Sequence, residues 1–284
     1  MTSIFKKTLL ASAALLSSSF LVANAHADIN SLVSTLTQGQ LKVVKTYPAT
    51  GNLMGVIAKP TRGGGSILLF ADKDGNYMVA GNVITAKGEN LTQSFTAKYI
   101  DAQVAYDAFA QIDKVSVIKD GKDTAKHKAY VVVDPNCIYC HVFSKEVAPL
   151  IADGTLQIRW IPAGFLKPDS IQKAAKMLSG KDNAERLSYW KLDQNKFDDK
   201  TEEGSLANLQ EDAKNPETVK AFDAARANTK FFSETGMGVT PSIIFVNNDG
   251  NPIFAKGAYR GDELKALVNS MSDKLTYTPK DKNS

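Results

Sequence analysis

With two cysteines in 284 residues, the chain has no disulfide lattice to brace it, and both thiols, Cys137 and Cys140, sit in one tetrapeptide. A bridge closing so short a loop removes little chain entropy, so the pair reads as local chemistry rather than a staple. An excess of either charge is also missing. The formal net charge is +4, from 34 basic and 30 acidic residues, with no long basic run. That leaves no electrostatic footprint for nucleic acid. Histidine numbers three, so a zinc site would need both His127 and His141 beside the cysteines, at a spacing unlike that of zinc modules. No apolar run reaches the roughly 20 residues that span a bilayer. What is there, 43% hydrophobic and 23% charged residues, is the make-up of a globular chain long enough for one or two cored domains.

The chain starts with an address. Lys6 and Lys7 precede an uncharged, small-residue stretch from Leu9 to Val22, which ends in Ala23-Asn24-Ala25-His26-Ala27. A basic start, a short apolar centre and small-x-small cleavage sites predict a signal peptide over residues 1–27. The expected product is a soluble protein of the bacterial periplasm, an oxidising compartment where a cysteine pair can cycle.

Residues 28–92 read as a small α+β unit: a helix near 29–36, then strands at 41–47, 54–57, 66–70 and 77–84, separated by turn signals. Gly63-Gly64-Gly65 lacks a following Gly-Lys-Ser/Thr and leads into a strand, so it predicts a turn and not a phosphate cradle. Ile100, Val104, Ala108 and Ile112, widened by Phe109, predict an amphipathic helix over 97–113, about 25 Å long. Its position between two units suggests a connecting rod within a 93–115 linker; a helix packed into either core fits the pattern nearly as well. Residues 119–128 are polar and read as a loop. A larger unit, 116–275, follows. It carries a strand at 130–133, a helix at 137–152, a strand at 156–161 and a mainly helical stretch at 169–232. Within that stretch, the charge-rich residues 193–204 read as a solvated loop or frayed helix. Strands at 242–246 and 253–256, a helix at 261–271 and a polar, disordered tail at 276–284 complete the chain. Strand–helix–strand, helical insertion, then strand–turn–strand–helix is the order of a thioredoxin-like layer.

Cys137-Ile138-Tyr139-Cys140 follows the buried strand and opens a helix. Unpaired N–H groups and the helix dipole favour negative sulfur there, so the Cys137 pKa is expected below the free value near 8.5. A fall to roughly 7 corresponds to about 2 kcal/mol of differential stabilisation. Cys140, one turn further in, is shielded and suited to resolving a mixed disulfide. His141 completes C-x-x-C-H, the haem attachment pattern, for which His141 and Met177 or Met237 would be axial ligands. The strand before the motif and the Thr-Pro pair after it are not cytochrome features. That pair, Thr240-Pro241, opens a second strand. Proline is unusual at the start of a buried strand, and a cis bond there would bend the chain and free backbone groups for an extended substrate. A plain trans proline is the commoner alternative. Tyr139 and His141 are candidates to touch substrate; core packing for Tyr139 and a solvent-exposed helix position for His141 are the competing readings.

Signal peptide, small N-terminal unit, connecting helix, CIYC and Thr-Pro-Ser together resemble the DsbC/DsbG thiol:disulfide interchange proteins. Lys87-Gly88-Glu89-Asn90-Leu91, Asp134-Pro135-Asn136-Cys137 and Ile161-Pro162-Ala163-Gly164-Phe165-Leu166-Lys167-Pro168 are similar to the DsbG branch. Ile138 stands where the family motifs carry Gly or Pro, and His141 is more like DsbC. The resemblance implies an α+β N-terminal dimerisation domain, cystatin-like, over 28–92, a linker helix over 93–115 and an α/β thioredoxin-like catalytic domain with a helical insertion over 116–275. It also implies a homodimer with Cys137 as nucleophile, Cys140 as resolving and redox-active partner, and Thr240 with Pro241 as a substrate-binding loop, Tyr139 beside them. The implied partners are unfolded or misoxidised exported proteins and the membrane electron donor DsbD, with no cofactor and no metal. The expected activity is isomerase or reductase, including reduction of sulfenylated cysteines, with accompanying chaperone action. A DsbA-type oxidase and a holdase with secondary thiol chemistry are the alternatives.

Overall fold

A computed structural model describes residues 28–278. The expected signal peptide, and the end of the polar tail from residue 279, lie outside the described residues. The first element, α1 (Ile29–Leu36), is capped by Asp28, whose carboxylate accepts from the Ser31 amide at 2.7 Å. Four antiparallel strands follow in sequential order: β1 (Leu41–Pro48), β2 (Leu53–Pro60), β3 (Ile67–Asp72) and β4 (Met78–Val79). Helix α1 lays Val33 on Val56, Ala58, Leu69 and Ala71, one face of this sheet. The strand expected over 77–84 is cut to two residues. Gly81 takes φ +148° and the Val83 amide donates to the Thr92 hydroxyl at 2.9 Å, so the backbone is satisfied outside the ladder.

The connecting helix begins earlier than its periodicity suggests and changes pitch. It runs as α2 (Leu91–Phe95), a π-helical stretch over Thr96–Asp101 and α3 (Ala102–Phe109), with a 3-10 turn at Ile112–Lys114. Asn90 caps it through the Gln93 amide at 3.0 Å. Its two ends serve different sheets. Phe95 lies over Gly55, where any Cβ would fall 2.5 Å from the ring, and Tyr99 stacks on Tyr47 at 3.7 Å. Ile100, Val104, Ala108, Phe109 and Ile112 are buried against Tyr130, Val132, Ile244 and Phe254 of the second sheet. The segment is therefore a packed helix over most of its length and not a free rod.

That second sheet has the order β5-β7-β6-β8-β9: β5 (Ile118–Asp120), β6 (His127–Val133), β7 (Leu156–Pro162), β8 (Ser242–Val246) and β9 (Pro252–Lys256). Only β6 and β7 run parallel, joined through α4 (Ile138–Ala152). Helices α5 (Ser170–Leu178), α6 (Asn183–Asn195) and α7 (Pro216–Thr235) form the insertion, and α8 (Gly261–Ser270) follows β9. Strand alternation splits the core. Val131 and Val133 face α4, α5, Trp190 of α6 and α8, whereas Tyr130 and Val132 face the connecting helix.

Two polar stretches departed from expectation. Residues 119–128 are not all loop, because Lys119 and Asp120 belong to β5 and His127 and Lys128 to β6. β5 pairs only with β7 and carries its charges as an edge strand does. The tail is packed at its start: just after Leu275, Tyr277 lies on the helix-side core and meets Tyr106 and Phe109 at ring separations of 5.5 and 6.2 Å.

Candidate active site

The site is assembled at the carboxyl end of β6. A turn closed by the Cys137 amide on the Asp134 carbonyl, at 3.0 Å, delivers Cys137 to the N-cap of α4. Its φ and ψ, −93° and 110°, are extended, and its sulfur takes the place that a Ser or Asp oxygen fills in an ordinary cap. The Cys140 amide donates to that sulfur at 3.2 Å. Both cysteines are free thiols and both are buried.

From the opposite side comes Thr240, 103 positions along the chain. Its hydroxyl donates to the Cys137 sulfur at 3.3 Å, and the Cys137 thiol lies 3.5 Å from its carbonyl oxygen. The Thr240–Pro241 bond is cis. Behind it the Pro241 carbonyl accepts from Gly257 at 3.0 Å, anchoring the loop to the strand ladder. Gly236 and Gly238, at φ +75° and +73°, let the chain turn from α7 into this loop.

These contacts separate the two thiols. The Cys137 pKa is lowered, first by its hydrogen bond with the Cys140 side chain and then, against the opposing effect of burial, by the Thr240 hydroxyl and the Cys140 amide. The Asp134 charge works against this. Cys140 is pushed well above the ordinary thiol value, chiefly by complete burial and further by Cys137. One sulfur is thus prepared as a thiolate and the other holds its proton.

Tyr139 and His141 exchange the places of their competing readings. Tyr139 is 62% exposed beside the cysteines, while His141 is 2% exposed, stacked on Phe197 at 4.6 Å. Burial lowers the His141 pKa, then Lys145, against the pull of Asp199, whose carboxylate is 3.8 Å from Nε2. Of the methionines considered as axial ligands, Met177 lies in the core that also holds Cys137 and Cys140, and Met237 lies in the core on the other face of the sheet. His127 is bound to the Met271 carbonyl at 2.7 Å, at the other end of β6 from Cys137. It is therefore about 20 Å of strand away from any zinc set built on the cysteines. Among the described residues no cluster of three or more His, Cys, Asp or Glu side chains could hold a metal.

Sequence reasoning missed the polar network under the turn. Asp134, fully buried, accepts from the amides of Asn136, Phe165 and Leu166 and from the Ser170 hydroxyl. Asn136 donates to Asp169 and Ser170, each at 2.9 Å, and accepts from Lys173 at 2.9 Å and the Gly204 amide at 3.1 Å. Lys173 is paired with Asp169 at 2.8 Å. Nor is the 193–204 stretch solvated throughout. Asp193 is 0% exposed, accepts from the Leu206 amide at 3.1 Å, and burial raises its pKa to about 6. The only local signal was Asp134-Pro135-Asn136; its partners lie 31 to 68 positions away.

A thiol at a helix N-cap, a buried second thiol one turn on and a cis-proline loop across from them define a thiol-disulfide oxidoreductase on a thioredoxin fold. The thioredoxin-like domain family model matches residues 116–272, and the chain belongs to that family. Within it the protein is a member of the DsbC/DsbG family of thiol:disulfide interchange proteins. It is 25% identical to the thiol:disulfide interchange protein DsbG of Pseudomonas aeruginosa, over 87% of this chain and 91% of that one. It is likewise 25% identical to DsbG of Escherichia coli, over 76% of this chain and 82% of that one. Among solved structures, it is similar to the thiol-disulfide exchange protein alpha-DsbA2 of Wolbachia pipientis, with 16% identity and a TM-score of 0.46, covering 60% of this chain and 96% of that one. No helix among the described residues is long and apolar enough to cross a membrane.

Proposed function

We propose that this protein is a periplasmic disulfide isomerase and reductase for exported proteins, with Cys137 as the attacking thiolate and Cys140 as the resolving thiol. The observation that carries the reading is the N-cap position of the Cys137 sulfur, held by the Cys140 amide and the Thr240 hydroxyl while Cys140 is buried. Cys137 attacks one sulfur of a wrong substrate disulfide; a mixed disulfide forms and the other substrate sulfur leaves as a thiolate. A substrate thiolate then displaces Cys137, which is isomerisation. Alternatively Cys140 gives up its proton and displaces the substrate, which is reduction and leaves Cys137–Cys140 oxidised. On a sulfenylated cysteine the same attack expels hydroxide, protonated to water, and Cys140 resolves the adduct. DsbD is the proposed source of electrons that restore the dithiol. The exposed Tyr139 and the Thr240-Pro241 loop would line the substrate.

In this reading residues 1–27 are a cleaved export signal, 28–92 a dimerisation domain, 93–115 the linker and 116–275 the catalytic domain. The deciding experiment is Cys140→Ala in cells: mixed disulfides with exported proteins accumulate through Cys137 and disappear in the double variant with Cys137→Ala. Absence of adducts overturns the roles. A mainly oxidised pair in vivo, insensitive to loss of DsbD, would favour a DsbA-type oxidase. Aggregation suppression surviving in the cysteine-free protein would assign holdase action to the binding surface alone. Light scattering on the mature chain tests the dimer.

A further inference from the structure

Asn136 lies outside the redox tetrapeptide, yet its side chain is bonded to capacity. A carboxamide has two donor hydrogens and an oxygen with two lone pairs. Here the donors go to Asp169 Oδ1 and Ser170 Oγ, and the oxygen accepts from Lys173 Nζ and the Gly204 amide. Its own amide is held by Asp134 Oδ1 at 2.9 Å. The residue directly before Cys137 is thus fastened to α5 on one side and to the 196–206 loop on the other. That loop has no slack at this point: a Cβ on Gly204 would fall 2.6 Å from the Pro135 carbonyl oxygen and 2.4 Å from Asp193 Oδ1.

We propose that Asn136 is a positioning residue that holds the Cys137 sulfur at the N-cap of α4 by tying the preceding backbone to α5, Lys173 and the 196–206 loop. The inference rests on the reading of Cys137 as the attacking thiolate. A cap works only while the sulfur stays near the Cys140 amide at 3.2 Å and the Thr240 hydroxyl at 3.3 Å. A turn of Asp-Pro-Asn has no ladder of its own to keep it there. The charges around the carboxamide are Asp134, Asp169, Asp193 and the buried Lys173 ammonium; those bearing on the sulfur are Cys140 and Asp134. A neutral side chain at 136 bridges the acids and the ammonium without adding charge beside the sulfur.

The test follows alkylation of Cys137 by iodoacetamide from pH 4 to 9 in the reduced full-length mature protein, with melting temperature measured alongside. Asn136→Ala frees the turn and strands the Lys173 and Gly204 donors; alkylation at pH 6 falls on the order of tenfold as the thiolate titration moves up by about one pH unit. Lys173→Met moves the curve the same way by less. Asn183→Ala, which removes a side chain bonded to both backbone groups of Lys119 in β5, lowers the melting temperature and leaves the curve in place. If Asn136→Ala and Lys173→Met reduce stability but leave the Cys137 curve unmoved, the residue is merely structural and the proposal is overturned. Should Asn136→Ala fail to fold, an unmoved curve in Lys173→Met overturns it equally. A wild-type Cys137 that titrates as an ordinary thiol instead refutes the reading on which the inference rests.

Discussion

Replacing Asp193 by Asn should make the catalytic unit more stable in neutral solution and confer progressively less advantage in acid. Asp193 lies in the last turn of α6 with no solvent exposure, and burial raises its pKa from 3.8 to about 6. A group with a higher pKa folded than unfolded binds a proton more tightly when folded, so its contribution to stability is complete below pH 4 and is lost as pH rises through 6. At about 1.4 kcal/mol per pH unit, the separation makes the charged carboxylate a liability of about 3 kcal/mol above pH 7. Asparagine keeps an oxygen for the Leu206 amide, 3.1 Å away, and carries no charge to desolvate. Lys173 retains Asp169 and Asn136 as partners. Both tryptophans of the chain, Trp160 and Trp190, lie in this core at a ring separation of 4.5 Å, so urea unfolding followed by tryptophan fluorescence reports on this unit. Because the unfolded carboxyl is already mostly ionised at pH 4.5, the stability of Asp193→Asn relative to wild type should rise between pH 4.5 and 8 by about 2 kcal/mol. A difference that stays flat with pH, or that falls, would refute a buried, proton-binding Asp193.

Three further outcomes are expected. Thr240→Val removes the hydroxyl at 3.3 Å from the Cys137 sulfur; a hydrogen bond to a charged acceptor is worth about 1.5 kcal/mol or more, so the thiolate fraction at pH 6 drops on the order of tenfold by absorbance at 240 nm. An unchanged titration would dismiss Thr240 as a partner. In the folded reduced protein, brief alkylation at pH 7 should label Cys137 alone, because Cys140 is buried with a strongly raised pKa; mass spectrometry showing equal labelling would contradict the site. Gly164→Ala sets a Cβ 2.4 Å from the Ile171 backbone at the start of α5, an overpacking cost of about 2–3 kcal/mol that a urea melt should detect.

Much of the chain declares itself locally. Helix α4 begins where a strand of β-branched residues gives way to Asp-Pro-Asn, β8 starts directly after Pro241, and the Asn-Asp-Gly turn separates β8 from β9. Errors arose where local polarity and tertiary position disagree. Lys119 and Asp120 look like loop but lie on an edge strand, which needs a partner on one side only. Asp193 looks solvated in a charged stretch but is enclosed because the insertion returns over it at Gly204 and Leu206. Tyr139 and His141 sit on opposite sides of α4, and α4 is apolar at Ile138, Val142, Phe143 and Val147 alike. Its composition gave no clue to the buried face; the 196–206 loop, which brings Phe197 onto His141, decides that.

The amino-acid sequence alone determined that two thiols stand one helical turn apart, at the start of a helix, in a chain with no third cysteine to divert them. Spacing and helix polarity are local properties and need no distant residue. Whether the thiols differ in acidity depends on which groups crowd each sulfur and how much water is excluded. Only the tertiary structure decides that: it brings Thr240 to Cys137 across 103 positions, closes the protein around Cys140, and braces the turn before Cys137 through Asn136.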